Sequence, residues 1–210
     1  MVDEYLTEKE QWEQTLAWLR ENVPWMLAGV ALAVLIVGGW RWYQARLDHQ
    51  RLAAGSRYEL LLAAFSKNEL ATAVTLADQL RHDYPKLGYS DQADLIVARL
   101  QVENNDEQGA LDRLERVMSS SHDPEVALLA RLRAARLLLD KGKPDDALAT
   151  LKVEQTGAFA LAYAETRGDA LLAKGDKDGA LKAYREAQAA KGAGVDPALL
   201  NLKINELSRS

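Results

Sequence analysis

The chain has 210 residues, a formal charge of -5 and no cysteine. The negative balance argues against a nucleic-acid partner, and the missing thiols exclude disulfides, thiolate nucleophiles and cysteine-based metal sites. Ala and Leu supply most of a 48% hydrophobic content; with Glu, Lys, Arg and Gln they are good helix formers, so an all-α fold is expected.

In chain order, residues 1–22 read as an amphipathic arm with six acidic and two basic side chains. Thr7 to Glu10 fits a capping box. Trp12, Leu16, Leu19 and Val23 recur at spacings of 4, 3 and 4, one apolar stripe of a helix. The stripe suits the membrane surface, a partner helix or a short free arm equally. Pro24 is expected to break the arm from the apolar run beyond it, because the residue before a proline avoids the α region, and Asn22 is expected to cap the next helix.

Val23 to Trp40 is a run of 18 residues without a charge. As a helix it spans roughly 27 Å, close to the ~30 Å hydrocarbon core of a bilayer, so residues 23–43 are read as one transmembrane helix in the lipid bilayer. Trp25 at one end and Trp40, Trp42 and Tyr43 at the other suit the headgroup level, where an aromatic ring is half buried and its polar edge wet. Arg41 can snorkel among them. A cleaved signal peptide would need a short basic lead and an apolar run of about 7 to 15 residues; the lead here is 22 residues and acidic. Beyond the run come Arg41, Arg46, Arg51 and Arg57 against Asp48 and Glu59. That count alone would place the C-terminal side in the cytoplasm, although the rule weakens when a large domain follows.

Residues 44–210 read as a repeat domain. Ala73, Ala110, Ala147 and Ala180 stand at equivalent places in four segments, at spacings of 37, 37 and 33, the period of stacked helical hairpins. The segment Leu161 to Gly192 resembles the tetratricopeptide repeat. Gly168 stands at the helix-packing glycine of that motif, Gly175-Asp176 at the turn, and Ala180, Tyr184 and Ala187 at the small, aromatic and small positions of its second helix. Gly142 marks the same turn in the preceding copy, and Pro85 matches the closing proline of the first. The expected architecture is an α-solenoid of about four hairpins, its first helix continuing directly from the membrane segment. Asp196 to Leu207 serves as the capping helix, with Asp196 as N-cap, Pro197 in the first turn and Leu200, Ile204 and Leu207 as its stripe.

No catalytic site and no metal or cofactor site is expected. His49, His82 and His122 lie far apart without ligand spacing. Ser119 to His122 reads as a loop. Lys174 and Arg185 occupy the first and last ligand positions of what would be a calcium loop. Asp145 and Asp146 sit at a helix start, where the dipole favours acids. A repeat solenoid offers instead a concave face, and the register assigns to it Tyr58, Leu62, Phe65, Leu95, Arg99, Val102, Leu129, Leu132, Arg136 and Leu139. That set is apolar with two arginines and suits an extended apolar segment or a partner's hydrophobic face.

The acidic arm, the helix ending in Gly39-Trp40-Arg41-Trp42-Tyr43, the Arg167 to Asp178 turn and the Asn201 to Leu207 end together resemble the YfgM family, the ancillary subunit of the bacterial SecYEG translocon, over nearly the whole chain. The resemblance implies a non-enzymatic protein of the inner membrane, with residues 1–22 in the cytoplasm and the repeat domain in the periplasm. It implies the SecYEG translocon, the membrane-anchored periplasmic chaperone PpiD and unfolded translocated proteins as partners, with handover of the latter to periplasmic chaperones. It further implies restraint of a cytoplasmic stress-response regulator through the arm. The alternative is a membrane-tethered scaffold for another envelope assembly.

Overall fold

The structure, a computed structural model, describes residues 8–190 and 195–209, with side chains from residue 12 onward. Thr7 of the expected capping box lies outside these residues. Nine α-helices and no strand make up the described chain, which divides into two compact units between Leu52 and Ala53.

Helix α1 (Glu8–Ser66) is 59 residues long and carries Pro24 inside it. The expected break at Pro24 is therefore corrected. The fixed proline φ is compatible with a helix, and the cost is one missing N–H bond and a crowded carbonyl one turn back, which long apolar helices tolerate. Asn22 does not cap a new helix. Its Nδ2 donates to the Trp18 carbonyl oxygen at 2.8 Å, within the same helix. The expectation that the helix runs on unbroken past Arg41 is met. In the first unit the apolar side chains from Trp25 to Trp40 are exposed, and none of the most apolar window is buried. A soluble core helix would bury them, so this segment is a membrane-span candidate by length, composition and exposure together.

The second unit begins with the end of α1 and continues through α2 (Leu70–Asp83), α3 (Gly88–Glu103), α4 (Glu107–Ser120), α5 (Pro124–Asp140), α6 (Pro144–Thr150), a 3-10 turn over Gly157–Phe159, α7 (Ala160–Ala173), α8 (Lys177–Ala189) and α9 (Pro197–Arg209). These are four hairpins and a closing helix. Ala73, Ala110, Ala147 and Ala180 are all fully buried, because a methyl group is what lets the paired helices approach. Five residues before each stands a residue in the left-handed region: Asn68, Asn105, Gly142 and Gly175, with φ of 56°, 63°, 68° and 84°. Gly and Asn occupy that region at the least steric cost. The chain therefore reverses at one place per repeat with a repeat-specific residue.

Two second helices start in the same way. Asp106 accepts from the Gly109 N–H at 3.0 Å and Asp176 from the Gly179 N–H at 2.9 Å, each an N-cap. Asp123 caps α5 through the Glu125 N–H at 2.9 Å, and Asp196 accepts from the Ala198 N–H at 2.8 Å.

Between α7 and α8 the packing leaves no slack. A Cβ at Gly168 would lie 2.4 Å from Cε1 of Tyr184, whose ring is fully buried. The Tyr184 hydroxyl donates to Asp169 Oδ1 at 2.7 Å. Helix α9 covers this hairpin as expected, with Leu200 buried and Ile204 and Leu207 packed against the cluster that holds Ala164, Ala180, Tyr184 and Ala187. Lys203 pins it by donating to Glu165 at 2.8 Å and Asp169 at 2.7 Å.

A buried ionic network ties α2, α3 and α4. Asp94, fully buried, accepts from Arg81 at 2.6 Å and Arg113 at 2.7 Å, and Arg113 also reaches Asp78 at 3.0 Å. Burial works against the charge of Arg81, but its bonds to Asp94 and Asp91 outweigh that and raise its proton affinity.

Candidate functional site

The repeat domain carries a trough formed by two adjoining depressions. The first, about 360 Å³, lies between α3 and α5 over α4. Its floor is apolar: Leu95, Ala98, Val102, Leu114 and Leu137. Its rim is charged: Arg99, Glu103, Arg133, Arg136 and Asp140. The second depression shares Arg136 and Asp140 and continues towards α7 and α9, where Glu165, Asp169 and Asp196 line it. Charge is thus sorted along the trough. Its α3 end is richer in arginine and its α9 end is acidic.

The groove residues expected from the sequence separate into four groups. Leu95, Arg99, Val102 and Arg136 come together in the first depression. Leu139 lines the second. Leu132 is buried in the core against α6 and α7, and Leu129 packs against the cluster of α3 to α5. Tyr58 and Phe65 pack on the first hairpin's core, and Leu62 stays exposed. The Tyr58 and Tyr89 rings stand 5.4 Å apart, and burial raises the phenol pKa of Tyr58. The Arg99 guanidinium lies 5.5 Å from the Phe65 ring centre and its Nε donates to Glu103 at 2.8 Å. Arg136 spans to α7, donating to Thr166 at 3.3 Å and Glu165 at 3.4 Å.

Sequence reasoning misses Arg133. Its Nη1 donates to the Leu95 carbonyl oxygen at 3.4 Å. Burial and then the nearby charge of Arg99 lower its proton affinity. The signal is its place three residues before Arg136, which puts both on one face of α5.

Trp25, Trp40, Trp42 and Tyr43, expected from the sequence at the membrane interface, are exposed on α1, and Arg46 lies 5.8 Å from the Trp42 ring centre. No group of three His, Asp or Glu side chains among the described residues stands in metal-holding geometry. His82 contacts Asp83 at 2.9 Å, and Asp145 pairs with Lys174 at 2.6 Å. Both carboxylates thus have local structural partners.

A family profile described as a tetratricopeptide repeat-like domain matches residues 16–209. The chain is 31% identical over 204 residues to the ancillary SecYEG translocon subunit of Aggregatibacter actinomycetemcomitans, covering 97% of this chain and 99% of that one. It is 30% identical over 210 residues to the protein of the same name in Escherichia coli strain K12, covering 97% and 98%. The Haemophilus influenzae protein of that name is 26% identical over 202 residues. No solved structure matches. With a tetratricopeptide-like solenoid behind one exposed apolar span, and relatives aligned along almost their full length, the chain belongs to the family of ancillary SecYEG translocon subunits, the YfgM family.

Proposed function

We propose that this chain is a non-enzymatic, single-pass inner-membrane protein that joins the SecYEG translocon and helps pass translocated polypeptides to periplasmic chaperones. The correspondence with translocon subunits across both the apolar span and the repeat domain carries this reading. Residues 23–43 are its anchor, residues 1–22 its cytoplasmic arm and residues 44–210 its periplasmic domain. The arginine count after the span opposes that orientation, but a following domain of this size can translocate regardless of charge. The trough of the repeat domain is the face that meets partners, namely the chaperone PpiD and unfolded chains leaving the translocon. An apolar floor with polar anchors at its rim suits an extended segment. The acidic arm is the part that would restrain a cytoplasmic regulator.

Affinity purification of the tagged full-length chain from mildly solubilised membranes tests the central association. SecY and PpiD are expected in the eluate. Their absence, with another envelope assembly in their place, would overturn the translocon reading in favour of a tethered scaffold.

A further inference from the structure

One cation in the trough has no acid beside it among the described residues. Arg99 has Glu103 at 2.8 Å and Arg136 has Glu165 at 3.4 Å. Arg133 has no carboxylate partner among the described residues; what it has is the long bond to the Leu95 carbonyl oxygen at 3.4 Å. It stands at an apolar floor and near a second cation, and both lower its proton affinity. A guanidinium stays charged at neutral pH all the same. The guanidinium is solvent-exposed and has no acid beside it among the described residues, so a ligand carboxylate can reach it from the open side of the depression. A planar guanidinium also offers paired N–H groups that match a carboxylate.

The surroundings say what would carry that carboxylate. Leu95, Ala98, Val102 and Leu137 give an apolar floor beside Arg133, so the ligand's acid must be flanked by apolar groups. The adjoining depression is lined by Asp140, Glu165, Asp169 and Asp196, which outnumber the Arg136 and Lys203 cations bonded among them, and so disfavours an anion. The acid therefore belongs at the α3 end of the trough.

We propose that the depression between α3 and α5 binds an extended polypeptide segment presenting an aspartate or glutamate between large aliphatic residues, the carboxylate pairing with Arg133 and the aliphatic side chains lying on the floor around Val102. The proposal rests on the trough being the binding face. It adds a sequence preference: clients are selected for an acid set in an apolar stretch.

The test uses the full-length chain in lipid nanodiscs, with empty nanodiscs as control. The probe is a fluorescent peptide with the core Leu-Leu-Asp-Leu-Leu, compared with its Asn twin by anisotropy. The acidic peptide is expected to bind about tenfold more tightly, as a charge-assisted pair should. In Arg133→Gln that ratio falls to about one while the Asn peptide binds as before. In Val102→Asn both peptides weaken together. If Val102→Asn weakens both but Arg133→Gln leaves the ratio intact, the trough binds clients and the acid pairing is overturned. If neither variant changes binding, the trough itself is not the binding face and both readings fall. Equal wild-type affinity for the two peptides also overturns the preference.

Discussion

Gly168 shows how one residue sets a hairpin. The Tyr184 ring occupies the space a Cβ would need, and it cannot swing away because it is fully buried and its hydroxyl is bonded to Asp169. Gly168→Ala would gain up to about 1 kcal/mol of helix propensity, but overpacking costs about 1–3 kcal/mol. The expected net result is a lower thermal midpoint by circular dichroism; an unchanged or higher midpoint would mean that the contact yields. Tyr163 supplies a pH dependence. Its hydroxyl donates to the Leu128 carbonyl oxygen at 2.8 Å, and burial, partly offset by the charge of Arg131, pushes its pKa up to about 12. The folded value exceeds the unfolded value of about 10, so the contribution is fully present below pH ~10 and is lost as pH rises towards 12. At pH 11 the loss is about 1.4 kcal/mol by linkage. Urea midpoints from pH 9 to 11 should fall more steeply for the wild type than for Tyr163→Phe. Parallel curves would show that this phenol does not titrate with unfolding.

At the scale of elements, the alanine spacing and the Gly142 and Gly175 turns were enough to read four hairpins, since a methyl-only contact and a left-handed residue leave sequence marks. Asn68 and Asn105, at the same turn, were not legible. Asparagine is common in many kinds of turn, whereas glycine reaches the left-handed region at no steric cost and marks it more directly. The break expected at Pro24 failed for a related reason: proline's fixed φ is itself helical, and only tertiary context decides whether the lost bond ends the helix. The network around Asp94 was also hidden, because acids inside an amphipathic helix normally face water. Its partners come from two other helices. Asp94→Ala leaves Arg81 and Arg113 short of a buried partner, and a loss of about 3–5 kcal/mol is expected. Arg51→Ala, which removes an exposed pair with Asp48, should stay within about 1 kcal/mol. Denaturant unfolding of the two variants side by side checks the contrast; similar losses would refute the structural role of the network. Lys203→Met tests the closing helix in the same experiment. Glu165 and Asp169 each lose a charged donor, so α9 should loosen, with amide exchange in Pro197–Arg209 rising ahead of α8; equal protection in the variant would contradict the pinning.

For the whole molecule, the membrane span and the repeat domain were both readable because each rests on a long, regular pattern. The binding face was readable only in part. Helix α5 buries residues on several sides, among them Ala130, Leu132, Ala134, Ala135 and Leu137, so hydrophobic periodicity does not say which side faces the trough. Leu132 was assigned outward and lies in the core, while Arg133, one residue on, lines the depression. The orientation in the membrane is the point on which charge counting and family membership disagree, and the translocon role depends on it. The chain has no cysteine, so Arg209→Cys, on the exposed end of α9, introduces a single thiol into the repeat domain. Intact cells would be treated with a membrane-impermeant maleimide small enough to pass the outer membrane, with lysed cells as control. Labelling in intact cells is predicted and places the repeat domain in the periplasm, where translocated chains emerge. Labelling only after lysis would place it in the cytoplasm and contradict the proposed role.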